Sequence, residues 1–135
     1  MKVRSAVLIA GTALAAAVTP VAAHHSFSAE FDASKPVTLK GVVNRIEWTN
    51  PHTHVFVDVE DDKGTTTTWK FELASPKVLA QLGWKATSLN VGDEVTVEGA
   101  LAKDGSTSAN ARAVTLAGGR RVSAGSSGGD VAPPR

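Results

Sequence analysis

All four histidines of this chain fall in two places, His24 and His25 near its start and His52 and His54 further on. Neutral imidazole is the commonest protein metal ligand and is abundant near pH 7. The first pair directly follows Val21-Ala22-Ala23. Lys2 and Arg4, an apolar run over residues 6–18 and the small residues at 21–23 together have the layout of a secretory signal peptide, residues 1–23. Cleavage after Ala23 makes His24 the first mature residue, which then carries two donors, its α-amine and its imidazole. Cleavage after Ala22 instead puts His25 third behind a free amine and two amides, an arrangement suited to square-planar Cu(II) or Ni(II). The second pair lies in an alternating stretch. Strand side chains repeat with period two, so His52 and His54 share a face about 6.5–7 Å apart.

If residues 24–36 form an arm that folds back over that face, terminal and strand histidines meet. The set His24, His25, His52 and His54 then resembles a histidine brace, in which a terminal amine, its own imidazole and a second imidazole hold copper. All-nitrogen ligation favours copper among the divalent first-row metals. Zinc is the alternative, with a carboxylate such as Glu30 or Asp32 completing a tetrahedron. The leading expectation is a periplasmic or secreted copper-binding protein, a chaperone or buffer and not an enzyme. A metal-free interaction module is the second reading, its face around His52, Phe56 and Trp48 binding a periplasmic partner protein or a glycan. A copper-dependent oxidase or monooxygenase ranks last, because site analogy does not establish a reaction. The plainest reading of two histidines on a strand is a solvated face.

Other groupings are weaker. Glu47 with Asp58 or Glu60 is a conceivable acid/base pair, but carboxylates on hairpins are usually solvated. Trp48, Phe56 and Trp69 have the makings of a stacking platform, although Trp69, which shares a strand face with Phe71, is better suited to packing. No phosphate-binding glycine loop occurs.

Composition narrows the classes. Removing residues 1–23 from 135 leaves 112, enough for one domain with a core and too few for two. The segment removed holds two of the 14 basic residues and no acidic ones, so 12 basic residues face 13 acidic ones, a net charge of −1. Binding to nucleic acid through phosphates needs a basic surface, and none is predicted. The apolar run is interrupted by Thr12 and Pro20 and is shorter than a membrane span of about 20 residues, so no membrane association is expected after cleavage. There is no cysteine, hence no disulfide or thiolate site.

The elements that must position the histidines are read from alternation and turn residues. The arm has Phe27 and Phe31 as anchors, and Pro36 biases Lys35 toward an extended conformation. Residues 37–48 read as a strand with a bulge at Gly41. After the Asn50-Pro51 turn, Thr53, Val55, Val57 and Val59 point one way and His52, His54, Phe56, Asp58 and Glu60 the other. Asp61 to Gly64 makes a hairpin turn into a third strand over 65–73, with Thr67, Trp69, Phe71 and Leu73 on one face. Ser75 as N-cap and Pro76 at the first position begin a short helix with Val78, Leu79 and Leu82 as its apolar stripe. Strands over 94–99 and 109–116 follow, and Gly118-Gly119 closes a small hairpin through Val122. Residues 123–135 read as a disordered Gly/Ser/Pro-rich tail. Five strands with one helix between the third and fourth predict an all-β, OB-like five-stranded barrel over residues 37–122.

The segments His24-His25-Ser26-Phe27, Glu47-Trp48-Thr49-Asn50-Pro51-His52 and Gly92-Asp93-Glu94-Val95-Thr96-Val97-Glu98-Gly99 resemble a family of short exported bacterial proteins, known as a domain of unknown function. Shorter stretches, Lys35 to Gly41, Ser88-Leu89 and Asn110-Ala111-Arg112, carry the same likeness. It spans His24 to about residue 127 and implies export and one compact β domain. It implies no activity.

Overall fold

The computed structural model describes residues 27–126. Residues 27–30 form a helical turn, and six strands and one helix follow it. The strands are β1 (Phe31–Glu47), β2 (Thr53–Glu60), β3 (Thr66–Leu73), β4 (Glu94–Ala102), β5 (Ser108–Thr115) and β6 (Arg121–Ser123), with α1 (Pro76–Gln81) between β3 and β4. Sheet order is β3-β2-β1-β4-β5-β6, and an additional pairing of β3 with β5 closes a ring of five strands. That closing pairing is parallel, Lys70 to Glu72 against Ser108 to Asn110, and all the others are antiparallel. The ring order β1-β2-β3-β5-β4 with a helix between β3 and β4 makes this an all-β, OB-like barrel.

Alternation does what the sequence predicts on β2 and β3. Thr53, Val55 and Val57 are buried while His54, Phe56 and Asp58 stay partly exposed. Trp69, Phe71 and Leu73 point inward, and the Trp69 and Phe71 rings stack at 6.4 Å. Together with Val43, Leu79, Trp84, Leu89, Val95 and Val97 they form the barrel core. β5 contributes Ala109, Ala111 and Ala113, all essentially inaccessible. It adjoins β3, β4 and β6, and its small residues let three neighbours approach.

Local chemistry sets the helix. The Ser75 hydroxyl accepts a hydrogen bond from the Val78 N–H at 3.3 Å, and Pro76 occupies the first turn. Of the expected apolar stripe only Leu79 is buried, while Val78 and Leu82 remain about 40% exposed. One turn and a half of helix cannot bring three residues onto the same core.

Three features depart from the sequence reading. β1 begins at Phe31, six residues before Val37, because Phe31 pairs with Ala102 and is buried against it. The bulge lies between Val43 and Arg45, not at Gly41, which pairs regularly with Val95. Gly41 is needed for another reason. A Cβ there would stand 2.2 Å from the Asp58 carbonyl oxygen, since β1 changes partner from β4 to β2 at this point and coils onto it. Finally, packing continues past Val122. Ala124 is fully buried, its N–H donates to the Arg112 carbonyl, and its carbonyl accepts from the Ala74 N–H. The Trp84 indole N–H also donates to the Ser123 carbonyl at 2.8 Å.

Candidate metal-binding corner

His52 stands just before β2, in the loop that follows the cis Asn50–Pro51 peptide, and Thr49 Oγ1 donates to its carbonyl oxygen at 2.9 Å. Its Nδ1 lies 3.7 Å from Glu72 Oε1. The His52 side chain is 36% exposed and that of Glu72 only 17%. Glu72 is the directly opposed partner of His54 across the β2–β3 pair and of Asn110 across the β3–β5 pair. The same outer row continues to Glu47 on one side and Ala100 on the other. His52 and Glu72 thus stand together at one end of the barrel wall, with His54 opposite Glu72 on the neighbouring strand.

Glu72 is held from behind. Asn110, buried to 3% exposure, donates from Nδ2 to Glu72 Oε1 at 3.4 Å. The Asn110 amide is oriented by Ser126, whose hydroxyl donates to Oδ1 at 2.6 Å. Burial pushes the Glu72 carboxyl above its ordinary range, Glu30 pushes it the same way, and His52, the Asn110 hydrogen bond and Lys70 pull it back. Burial, with Lys70 and His52, lowers the pKa of His54, while Glu47 opposes the shift.

Glu72 forms a wall common to two clefts. One of about 530 Å³ is bordered by Glu30, Phe31, Lys70, Lys103 and Ser108, and a smaller one of about 200 Å³ by Pro51, His52, Val78, Asn110 and Gly125. The arm reaches the larger cleft. Phe27 and Phe31 are buried on Ala100 with their rings 5.7 Å apart, and the Glu30 carbonyl accepts from the Lys103 N–H at 2.8 Å. Lys103 Nζ also donates to the Ser28 carbonyl.

His24 and His25 lie outside the described residues. Of the two carboxylates considered for zinc, Glu30 borders the cleft with Glu72. Asp32 accepts from the backbone N–H and hydroxyl of Ser34, bonds that lower its pKa. Among the described residues no group of three His, Asp or Glu side chains is arranged to hold a metal ion, so the barrel offers a pair that needs further donors. Glu72 and Asn110 escaped the sequence reading. Alternation does place Glu72 outward on β3, but nothing local says that His52 and Asn110 will flank it.

Two of the carboxylates considered for acid/base work are otherwise engaged. Asp58 accepts from Asn44 and Thr68, at 2.9 and 2.6 Å, and Glu47 pairs with Arg45 at 3.3 Å. The Arg45 guanidinium covers the Phe56 ring at 4.0 Å, and Trp48, just past the end of β1, is 36% exposed.

With this geometry established, three comparisons bear on identity. The sequence model of a family described as a family of unknown function, DUF6152, matches residues 12–111. No curated protein matches the chain. A solved structure of a mitochondrial single-stranded DNA binding protein from S. cerevisiae, Rim1, is similar at 13% identity and a TM-score of 0.47, covering 61% of this chain and 92% of that one. The barrel assignment rests on this chain's own strand pairings.

Proposed function

The chain belongs to DUF6152, a family of unknown function, and from its own residues we propose that it is an exported periplasmic protein that binds copper, a chaperone or buffer and not an enzyme. The donors are His24 and His25, freed by removal of residues 1–23, together with His52 and with His54 as the lesser strand ligand.

The observation that carries this reading is the docking of the arm. Phe27 sits on Ala100, and Ala100, Asn110, Glu72 and His54 are successive members of one cross-strand row. Strands lie about 4.8 Å apart, so Glu72 is about 10 Å along the wall from Ala100. His24 is three residues before Phe27, and three residues of extended chain span about 10 Å. The anchor thus leaves the terminal histidines within reach of the corner where His52 meets Glu72.

The charge of the outer face also fits the reading. Across β1, β2 and β3 it carries Glu47, Asp58, Glu60 and Glu72 against Lys40, Arg45 and Lys70, a slight excess of acidic groups and no basic patch for a phosphate backbone.

The test is calorimetric titration with Cu(II) of the chain beginning at His24, beside the same chain with one extra residue in front. Tight binding by the first and weakened binding by the second is expected, because the extension removes the amine from its histidine. Equal, weak binding by both refutes the reading.

A further inference from the structure

We propose that the larger cleft, between the helical turn of residues 27–30 and the outer side of β3, binds a free α-amino acid with an apolar side chain, Glu72 taking its ammonium group and Lys70 its carboxylate. Neither His52 nor His54 borders this cleft, so the site stands apart from the histidine reading above.

Of the charged side chains around the cleft, two are spent on the fold. Lys103 Nζ donates to the Ser28 carbonyl, which ties the turn to the end of β4, and Asp104 accepts from the Ser106 N–H at 2.9 Å inside the β4–β5 turn. Glu30, Lys70 and Glu72 are left. Neither Glu30 nor Lys70 forms an ion pair among the described residues, and both are exposed. One cation beside two anions suits a ligand that carries both signs. A polyanion is repelled by the two carboxylates, and a simple cation leaves Lys70 unanswered.

Lys70 and Glu72 stand two residues apart on the outward face of β3, while Phe71 and Leu73 turn to the core. Period-two alternation sets their Cα atoms about 6.5–7 Å apart on one side. An α-amino acid carries its ammonium and carboxylate on a single carbon. A charge-assisted hydrogen bond of about 2.8 Å at each end lets it bridge the two side chains, both long enough to adjust their reach. Glu72 is the fixed end. The buried Asn110 amide donates to its Oε1 at 3.4 Å, and the Ser126 hydroxyl donates to Asn110 Oδ1. Burial and the charge of Glu30 both push the Glu72 carboxyl up, a cost that an ammonium set between the two carboxylates relieves.

The floor receives the side chain. Phe31 and Ala109 are 6% and 0% exposed, and half-buried Ala102 lies with them. The volume of about 530 Å³ falls within the span of small-molecule pockets, about 300–1,000 Å³, in which apolar walls hold the body of a ligand and a few polar groups orient it. Phe31 is itself packed against Phe27 and Ala100, so docking of the turn builds both the floor and one wall.

The experiment follows the backbone amide shifts of the isotope-labelled, metal-free chain beginning at His24 during titration with L-leucine. N-acetyl-L-leucine and L-leucine methyl ester, which each lack one of the two charges, are titrated beside it. Saturable shifts at residues around the cleft are expected with leucine, and binding about tenfold weaker or worse with either derivative. Lys70→Met and Glu72→Gln should each weaken leucine binding about tenfold or more, since each removes a charged hydrogen-bond partner. Glutamine keeps an acceptor for Asn110 and Lys70 is exposed, and urea midpoints check that both variants fold. Should Glu72→Gln lose stability, Lys70→Met decides. Amino-acid binding is overturned if leucine gives no saturable shift at these residues at millimolar concentration, if either derivative binds as tightly as leucine, or if a folded variant binds leucine unchanged.

Discussion

Phe27→Ala tests whether the arm and the barrel share one metal. Phe27 is 8% exposed and its ring meets that of Phe31 at 5.7 Å. Burying a phenylalanine side chain contributes about 2–3 kcal/mol, and a tilted aromatic pair adds about 0.5–1 kcal/mol. The substitution removes most of this. Part of it returns, because the freed segment regains backbone freedom worth about 1–2 kcal/mol per residue. From Ser28 onward the chain stays attached through Lys103 and Phe31. The net loss of docking is about 1.5–2 kcal/mol, which lowers Cu(II) affinity about 10–30-fold. Phe27 belongs to a cluster separate from the barrel core, so the barrel itself should unfold at nearly the same urea concentration. Trp84, buried in that core, supplies the fluorescence signal. Affinity is read by competition with a chromophoric chelator. Unchanged affinity in a variant whose arm has become accessible to protease would refute the idea that terminal and strand histidines bind the same ion.

Three further outcomes are expected. His52→Ala should cost at least tenfold in Cu(II) affinity, about 1.4 kcal/mol, and His54→Ala less, since His52 sits at the strand mouth against Glu72 while His54 lies one pleat inward; the reverse order in titration would misplace the site. Thr53→Val should raise the urea midpoint by the equivalent of about 1 kcal/mol, because Thr53 Oγ1 is buried with no hydrogen-bond partner among the described residues; a loss of stability would show that the hydroxyl is satisfied. Asp58→Asn should flatten the acid limb of the stability profile. Asn44 and Thr68 bond the ionised Asp58 and hold its pKa below the usual range, so its contribution is complete above about pH 4 and is lost as pH falls through the lower folded value. An acid limb identical to the wild type in urea melts from pH 5 to 2 would discount those two bonds.

Much of the barrel was determined by the sequence through contacts between near neighbours. Val55 and Val57 alternate with His54 and Phe56, which is enough to give β2 one buried and one open face and to put His54 on the open one, while His52 falls in the loop before the strand. Asp61 to Gly64 specifies a hairpin because Gly64 takes a φ of +78°, and Ser75-Pro76 starts the helix through a single local hydrogen bond. Each depends on residues only a few positions apart. What the tertiary structure alone decided depends on residues far apart in the chain. Phe31 joins β1 only because Ala102 lies opposite it, and Gly41 is required only where β1 coils against the Asp58 carbonyl. The parallel closure of β3 on β5 sets Asn110 beside Glu72, 38 residues away in sequence, and the loop before β2 brings His52 to the same carboxylate. Alternation states which side of a strand faces out but not which strand lies next to it. That choice is made when the inner faces of five strands bury one another, and it is why the open face carrying His54 could be read from the sequence while the carboxylate opposite it could not.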